Sequence, residues 1–342
     1  MRKVRRWTNI AVVCCGLCSC SDIGWSQAKP LAAQEGTLDK FINPDSQDLA
    51  TRVEVMQQTL YEQGQEITLL EFLNLYGNRI RMERVQYPSS DAQLIPGYIF
   101  TAANLEGSKR HPAVVLVHGG FHDRLDWHFF AFIDALVSDG YVVVFPEYRG
   151  SRGYGENHYK NDYGVTDVAD VLSAADYVST RPYVDPNRLG IIGHSRGGMV
   201  TLLAIEHSPK KFKAAVDIAG LTDFLAYMAY KPDYRRAEVA KEDHFKGKLP
   251  SENLPAYLDI SPLNNVDAIQ SPLLVLATTG DKIVPLSLHS GRLVDALKAR
   301  GKVFDYHVYD NAPGGHVFIF GDSEETRDCF RRTLTWLNKY VK

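Results

Sequence analysis

Three residues, in one order along the chain, have the types and settings needed for acyl-transfer chemistry. Ser195 lies in Gly193-His194-Ser195-Arg196-Gly197, Asp281 in Gly280-Asp281-Lys282-Ile283-Val284-Pro285, and His316 in Pro313-Gly314-Gly315-His316-Val317. A serine hydroxyl is a weak nucleophile until a base takes its proton, and the base needs an acid to orient it. The reaction also develops a negative oxygen, which calls for preorganised N–H donors. His118-Gly119-Gly120-Phe121 is the candidate donor loop. One donor is expected from the N–H of Arg196, next to the nucleophile, and the other from Gly119, Gly120 or Phe121, with the Gly120/Phe121 region favoured.

Each of these residues sits where a sheet would place it. Leu189 to Gly193 reads as a buried strand and Val200 to Ile205 as the start of a helix. This makes the Gly-x-Ser-x-Gly turn a nucleophile elbow, with Gly193 and Gly197 where a Cβ would collide with neighbouring backbone. Ala113 to Val117, Leu273 to Ala277 and Val303 to Tyr309 are apolar or alternating runs. Each ends at the donor loop, the acid or the base respectively. Asp281 has a plain alternative as an Asx-turn residue capping a helix from about Leu286.

The elements alternate around these strands. Two edge strands, from Ile80 to Tyr87 and Leu94 to Thr101, flank a Pro88-Ser89-Ser90-Asp91 turn. Further strands are expected at Tyr141 to Phe145 and Ala214 to Ala219. Helices are expected around Trp127 to Ala135 and Val168 to Val178, from Leu286 to Arg300 and from Ser323 to Tyr340. The order argues for an α/β fold, a mostly parallel doubly wound sheet with an antiparallel start. Leu221 to Asn265 interrupts it, with Phe224, Tyr227, Tyr230, Tyr234, Phe245 and Tyr257. An insertion there overlies the carboxyl ends of the strands, so it reads as a cap lining the pocket. The competing reading has its aromatics packing only on the domain. His122 and His128 are candidates for the pocket border. His111, His158, His207, His244, His289 and His307 read as surface or structural, and His194 as the variable residue of the elbow.

The 342 residues are 45% hydrophobic and 23% charged, ordinary values for a globular core, and the net charge of -3 offers no long-range attraction for nucleic acid. Met1 to Arg6 followed by Trp7 to Leu17 has the form of an export signal within residues 1–28. Two cleavage readings follow. Leu17-Cys18-Ser19-Cys20 resembles a lipobox with Cys20 as the lipid anchor, and Ser26-Gln27-Ala28 offers an ordinary signal-peptidase site. Either implies a bacterial periplasmic or membrane-anchored protein. Cys329 is the one cysteine of five outside that segment, so no internal disulfide is expected and Cys329 reads as a small core residue. Residues 29–78 are expected to form a helical extension, with Leu49, Val53, Met56 and Leu60 on one apolar face and a second short helix from Ile67 to Leu75. Residues 79–342 would be the catalytic domain, with 221–265 its cap. The oligomeric state is open.

From Arg79 onward the chain resembles the prolyl-oligopeptidase family's catalytic domain and its dienelactone-hydrolase-like esterase relatives. The resemblance rests on His118-Gly119-Gly120, Tyr148-Arg149-Gly150-Ser151-Arg152-Gly153-Tyr154-Gly155, Gly193 to Gly198, Ser261-Pro262-Leu263, Gly280 to Pro285 and Gly315-His316. It implies an α/β-hydrolase fold with Ser195, Asp281 and His316 as the triad. The chain departs from the family's peptidases in two ways. Nothing before Arg79 could build their β-propeller, and a position where some members carry an oxyanion-site tyrosine reads His118. The expected activity is serine hydrolysis of a small carboxylic ester, placed ahead of a short peptide, with no cofactor and no metal. A non-catalytic binding module is the other class, and the complete Ser-Asp-His set argues against it. Metal-dependent hydrolysis lacks a His-Glu-x-x-His or similar cluster, and epoxide chemistry would need a carboxylate at the elbow.

Overall fold

The computed structural model describes residues 48–342. The export signal, the lipidation site at Cys20 and the linker lie outside the described residues. The chain divides into two compact units, Met1–Val55 and Met56–Lys342, and of the first only residues 48–55 are described.

The second unit is built on an eight-stranded sheet in the order β1-β2-β4-β3-β5-β6-β7-β8. Strands β1 (Ile80–Pro88) and β2 (Leu94–Ala102) form an antiparallel hairpin, and β2 also runs antiparallel to β4 (Val142–Pro146). All pairings among β4, β3 (His111–Val117), β5 (Val184–His194), β6 (Ala214–Ile218), β7 (Leu273–Thr278) and β8 (Phe304–Tyr309) are parallel. This is the doubly wound sheet expected from the order of elements. Its central strands are buried along their length because helices cover both faces, which is why they read as continuous apolar runs.

Two hydrophobic clusters lie on opposite faces. One gathers α4 (Thr166–Ser179), α5 (Arg196–His207) and α9 (Ser290–Ala299); the other gathers α2 (Phe130–Ser138) and α10 (Glu324–Tyr340). Cys329 is fully buried in the second, as a small core residue should be.

The helical extension differs from expectation. One continuous helix, α1 (Leu49–Tyr76), replaces the two short ones. It passes through Gly64 because Arg124 packs there; a Cβ on that glycine would meet the Arg124 guanidinium at 3.0 Å. Arg124 Nη1 also donates to the Tyr61 carbonyl at 2.8 Å. The predicted apolar face is exposed, with Met56 and Leu60 both mostly in solvent. Leu69 and Phe72 make the packing instead, and Phe72 lies 5.0 Å from both Phe100 and Phe130. A 3.6-residue period identifies an apolar stripe but not which stripe is covered.

The helix expected from Leu286 begins at Ser290, after a turn in which the Leu286 carbonyl accepts from Gly291 N–H. A further short helix, α3 (Glu156–Tyr159), carried no recognisable pattern. The insertion 221–265 folds as α6 (Phe224–Tyr230), α7 (Asp233–Ala240) and α8 (Leu254–Asp259). Phe224, Phe245 and Tyr257 are fully buried and pack on Tyr163 and on one another. Tyr234 is three-quarters exposed. For Phe224, Phe245 and Tyr257 the competing reading, aromatics packing on the domain, describes the arrangement. Only Tyr227 and Tyr230 face the loops described next.

Candidate active site

Ser195 follows β5 directly and has φ 59° and ψ -122°, a backbone conformation that a residue with a side chain rarely adopts. The fold holds it there. Ser195 N–H donates to the Ile218 carbonyl at 2.9 Å, and its own carbonyl accepts from Met199 and Leu221 N–H. A Cβ on Gly193 would overlap the Gly197 carbonyl, and one on Gly197 would overlap the Val117 carbonyl. The two flanking glycines are thus required by backbone contact, as the motif predicted.

His316 lies on the turn Gly315–Phe320 that follows β8. Its Nε2 is 2.8 Å from Ser195 Oγ and its Nδ1 is 2.7 Å from Asp281 Oδ2. Asp281 is buried at the end of β7, and its Oδ1 accepts from Ile283 and Val284 N–H at 2.8 Å each. One oxygen closes an Asx turn and the other meets the imidazole, but Asp281 caps no helix, since the helix that follows starts at Ser290. Three residues dispersed over more than a hundred positions are brought together because parallel strands β5, β7 and β8 end at one edge.

The loop His118 to Phe121 lies against the elbow. A Cβ on Gly119 would stand 2.8 Å from the His194 carbonyl and 3.1 Å from Ser195 Cβ, and Gly120 has φ 66°. The backbone N–H groups of Gly120, Phe121 and Arg196 donate to no acceptor among the described residues. Donors left open beside a nucleophile are what an oxyanion site needs.

The supports of this loop explain the Tyr148-Arg149-Gly150-Ser151 string, for which sequence reasoning had no physical role. Tyr148 Oη donates to the His118 carbonyl at 2.8 Å, and Ser151 Oγ is hydrogen-bonded to His118 Nε2 at 2.8 Å. Arg149 anchors the string to α4 through a bidentate pair with buried Asp170. The His118 ring stacks on Tyr148 at 4.2 Å, and burial pushes its pKa down to about 4, so it is a neutral support. The ring is engaged with the loop's scaffold and does not replace a tyrosine hydroxyl. Beside it, burial raises the Glu147 carboxyl to about 8.

Two further residues were missed as positioning groups. Arg196 is buried; its Nη1 donates to the Phe121 carbonyl at 2.9 Å and its Nη2 pairs with Asp167 at 2.6 Å. Its guanidinium also lies over the Tyr163 ring at 4.2 Å. His194 Nε2 lies 2.8 Å from the His316 carbonyl oxygen. Burial first, and then the neighbouring His316, lower its pKa to about 3. Neither could be found from sequence, because the elbow motif leaves both positions free.

His122 donates from Nδ1 to the Gly150 carbonyl at 2.7 Å, stacks on Tyr159, and reaches Glu242 of the insertion at 3.3 Å. His128 sits between Asp123 and Phe320. Both border the donor loop. Of the other histidines, His289 is fully buried and bonded to Tyr230 Oη at 3.0 Å, and His244 pairs with Asp162. None of them bonds to the triad.

An eight-stranded, mostly parallel sheet with a strained serine elbow after β5, an acid after β7 and a histidine after β8 defines an α/β-hydrolase fold. The prolyl oligopeptidase family model matches residues 127–342, and the chain belongs to that family. It is 31% identical over 240 residues to an uncharacterized peptidase, YuxL, of Bacillus subtilis, covering 67% of this chain and 35% of that one. It is 30% identical over 259 residues to an acylamino-acid-releasing enzyme of Arabidopsis thaliana, covering 72% of this chain and 32% of the other. An acylaminoacyl peptidase of Pyrococcus horikoshii shares the fold with TM-score 0.69 at 24% identity, over 80% of this chain and 43% of that one. The chain therefore spans about a third of the length of these curated relatives.

Proposed function

We propose that this protein is a serine hydrolase that cleaves short peptides through an acyl-enzyme on Ser195. The observation that carries the reading is the continuous path from Asp281 Oδ2 through His316 to Ser195 Oγ, beside three undonated backbone N–H groups. In this reading His316 Nε2 takes the Ser195 proton as Oγ attacks the substrate carbonyl. Asp281 holds the Nδ1–H tautomer and stabilises the imidazolium that forms. The N–H of Arg196 and that of Gly120 or Phe121 receive the oxyanion, worth about 3 kcal/mol of transition-state energy per donor. His316 then protonates the leaving amine, and water releases the acid by the reverse path.

Sequence reasoning placed a small ester ahead of a peptide. Relatives named as peptidases and as an acylamino-acid-releasing enzyme move the order to the peptide. The test is a fluorophosphonate probe on folded protein, followed by p-nitrophenyl esters beside N-acetylated and free aminoacyl-naphthylamides. Labelling at Ser195 with turnover of the amides is expected; absence of labelling would sink the hydrolase reading, and turnover of esters alone would restore the original order.

We also propose, from the sequence of residues 1–28, that the protein is exported and anchored at Cys20, with 29–78 an extension and 79–342 the catalytic domain. Mass spectrometry of the mature N-terminus distinguishes a lipidated Cys20 from cleavage after Ala28.

A further inference from the structure

Lys231 ends the first helix of the insertion in an unusual setting for an ammonium group. Its Nζ lies over the Tyr227 ring at 4.4 Å and the Tyr230 ring at 4.8 Å. The acceptor it reaches is the Ile283 carbonyl, at 3.2 Å, on the loop that carries Asp281. No carboxylate comes within ion-pair distance of it among the described residues, and the opposite charge that acts on it is the Asp281 carboxylate. A second cation, Arg235, is close by: its guanidinium lies over the Phe121 ring at 4.8 Å. Burial, and then Arg235, depress the Lys231 pKa.

These contacts span the site. Phe121 belongs to the donor loop beside the nucleophile, and Ile283 lies two residues beyond the triad acid. Tyr230 Oη bonds to the same Ile283 carbonyl at 2.9 Å, so the end of α6 is fastened over the acid loop. A half-buried ammonium beside a like-charged neighbour is under-compensated when the one carboxylate acting on it, Asp281, is already committed to His316 and to two backbone N–H groups, since desolvation is offset only by an opposite charge or full hydrogen bonding. Arg235 has Glu238 at 2.5 Å, whereas Lys231 has no ion-pair partner among the described residues. The aromatic faces lower the cost of the cation, and Lys231 stays only partly buried. The two cations thus stand against both walls of the site, Arg235 on the donor loop at Phe121 and Lys231 on the acid loop at Ile283.

We infer that Lys231, with Arg235 behind it, forms a subsite for a substrate carboxylate close to the scissile bond. The preferred substrates are then short acidic peptides or peptides whose free carboxyl terminus falls near the cleavage point. This rests on the hydrolase reading above, which makes the adjoining cleft the place where the acyl group sits. Lys231 acts on specificity and takes no part in bond making.

The experiment compares matched pairs. Succinyl- and acetyl-capped alanyl-phenylalanyl p-nitroanilides place or remove a carboxylate on the acyl side. N-acetylated dipeptides with free or amidated carboxyl termini do so on the leaving side. The expected result is an anionic-to-neutral ratio of kcat/KM of about tenfold in one arm, expressed in KM, falling toward unity at high salt. In Lys231→Met the ratio should collapse, and in Lys231→Arg it should persist. In parallel, calorimetry on Ser195→Ala compares N-acetylphenylalanine with its amide, with tighter binding expected for the acid and equal binding in Ser195→Ala/Lys231→Met. Ratios near unity in both arms, or a preference unmoved by Lys231→Met, overturn the subsite. If no substrate turns over and no probe labels Ser195, the hydrolase reading fails, and the calorimetric comparison alone decides the subsite.

Discussion

His194 Nε2 lies 2.8 Å from the carbonyl oxygen of His316, across 122 residues of chain. Because burial keeps the His194 imidazole neutral, Nε2–H is the donor and the bond has a fixed direction. The residue before the nucleophile thus holds the loop that carries the base. The serine and histidine are set against each other from both sides: directly through Oγ and Nε2, and indirectly through this second imidazole.

Removing that strut should loosen the base more than it destabilises the fold. His194→Ala loses one buried hydrogen bond, about 1 kcal/mol of stability. Its kcat on an activated ester should fall roughly tenfold, on the view that small misplacements of reacting groups are costly. His194→Gln, which can still donate, should recover part of the loss. Steady-state kinetics beside thermal unfolding checks this; an unchanged kcat in His194→Ala would remove the positioning role.

Arg196 supports the donor loop with one nitrogen and neutralises Asp167 with another. Lysine keeps the charge but cannot make both bonds in the same geometry. Arg196→Lys should therefore fold and lower kcat by about tenfold with little change in KM. Arg196→Met leaves Asp167 buried and unpaired and should cost about 3–5 kcal/mol of stability. Denaturant melts separate the two effects.

Gly119→Ala tests the close approach of the donor loop to the elbow. The added methyl would press on the His194 carbonyl and Ser195 Cβ. Loss of alignment at one donor predicts a kcat reduced about 100-fold. Circular dichroism should be unchanged. Retention of full activity would mean that this loop does not contribute to the oxyanion site.

Stability should be highest at mildly acidic pH. Burial lowers the pKa of His118, His158 and His289 to about 4 and that of His194 to about 3, so the unfolded chain binds more protons than the folded one below the ordinary value of 6.5. Stability from these groups is present above pH 6.5 and is lost as pH falls toward 4. Glu147 and Asp217 act oppositely. Burial raises them to about 8 and about 7, so the folded state keeps protons that the unfolded state gives up. Their contribution is present below pH 4 and is lost as pH rises through 7 to 8. Melting temperature against pH should be bell-shaped. Glu147→Gln, which retains an acceptor for Leu125 N–H, should flatten the alkaline side, and an identical slope in the variant would contradict the assignment.

The alternating pattern and the ordered strand-end motifs made the sheet legible. They also singled out Ser195, Asp281, His316 and the donor loop as candidates, because each lies within a few residues of a recognisable strand. Such signals are local: a period of two or a flanking glycine is set by neighbours along the chain. The covered face of α1 differs from the expected one, since Met56 and Leu60 have the same spacing as a buried stripe but no layer above them among the described residues. The aromatics of the insertion carry no signal for which way each one faces: Phe224, Phe245 and Tyr257 fill its own interior.

The sequence by itself determined the kind of chemistry, since residue types and their order along alternating strands are properties of the chain. Only the tertiary structure decided what holds that chemistry in place. The bonds from His194 to His316 and from Arg196 to Phe121 join residues 122 and 75 positions apart. Lys231 meets Ile283 across 52. Those distances are set by which strands lie side by side and by how the insertion folds back over their ends. No local spacing encodes them, because they arise only when separate elements are packed against one another.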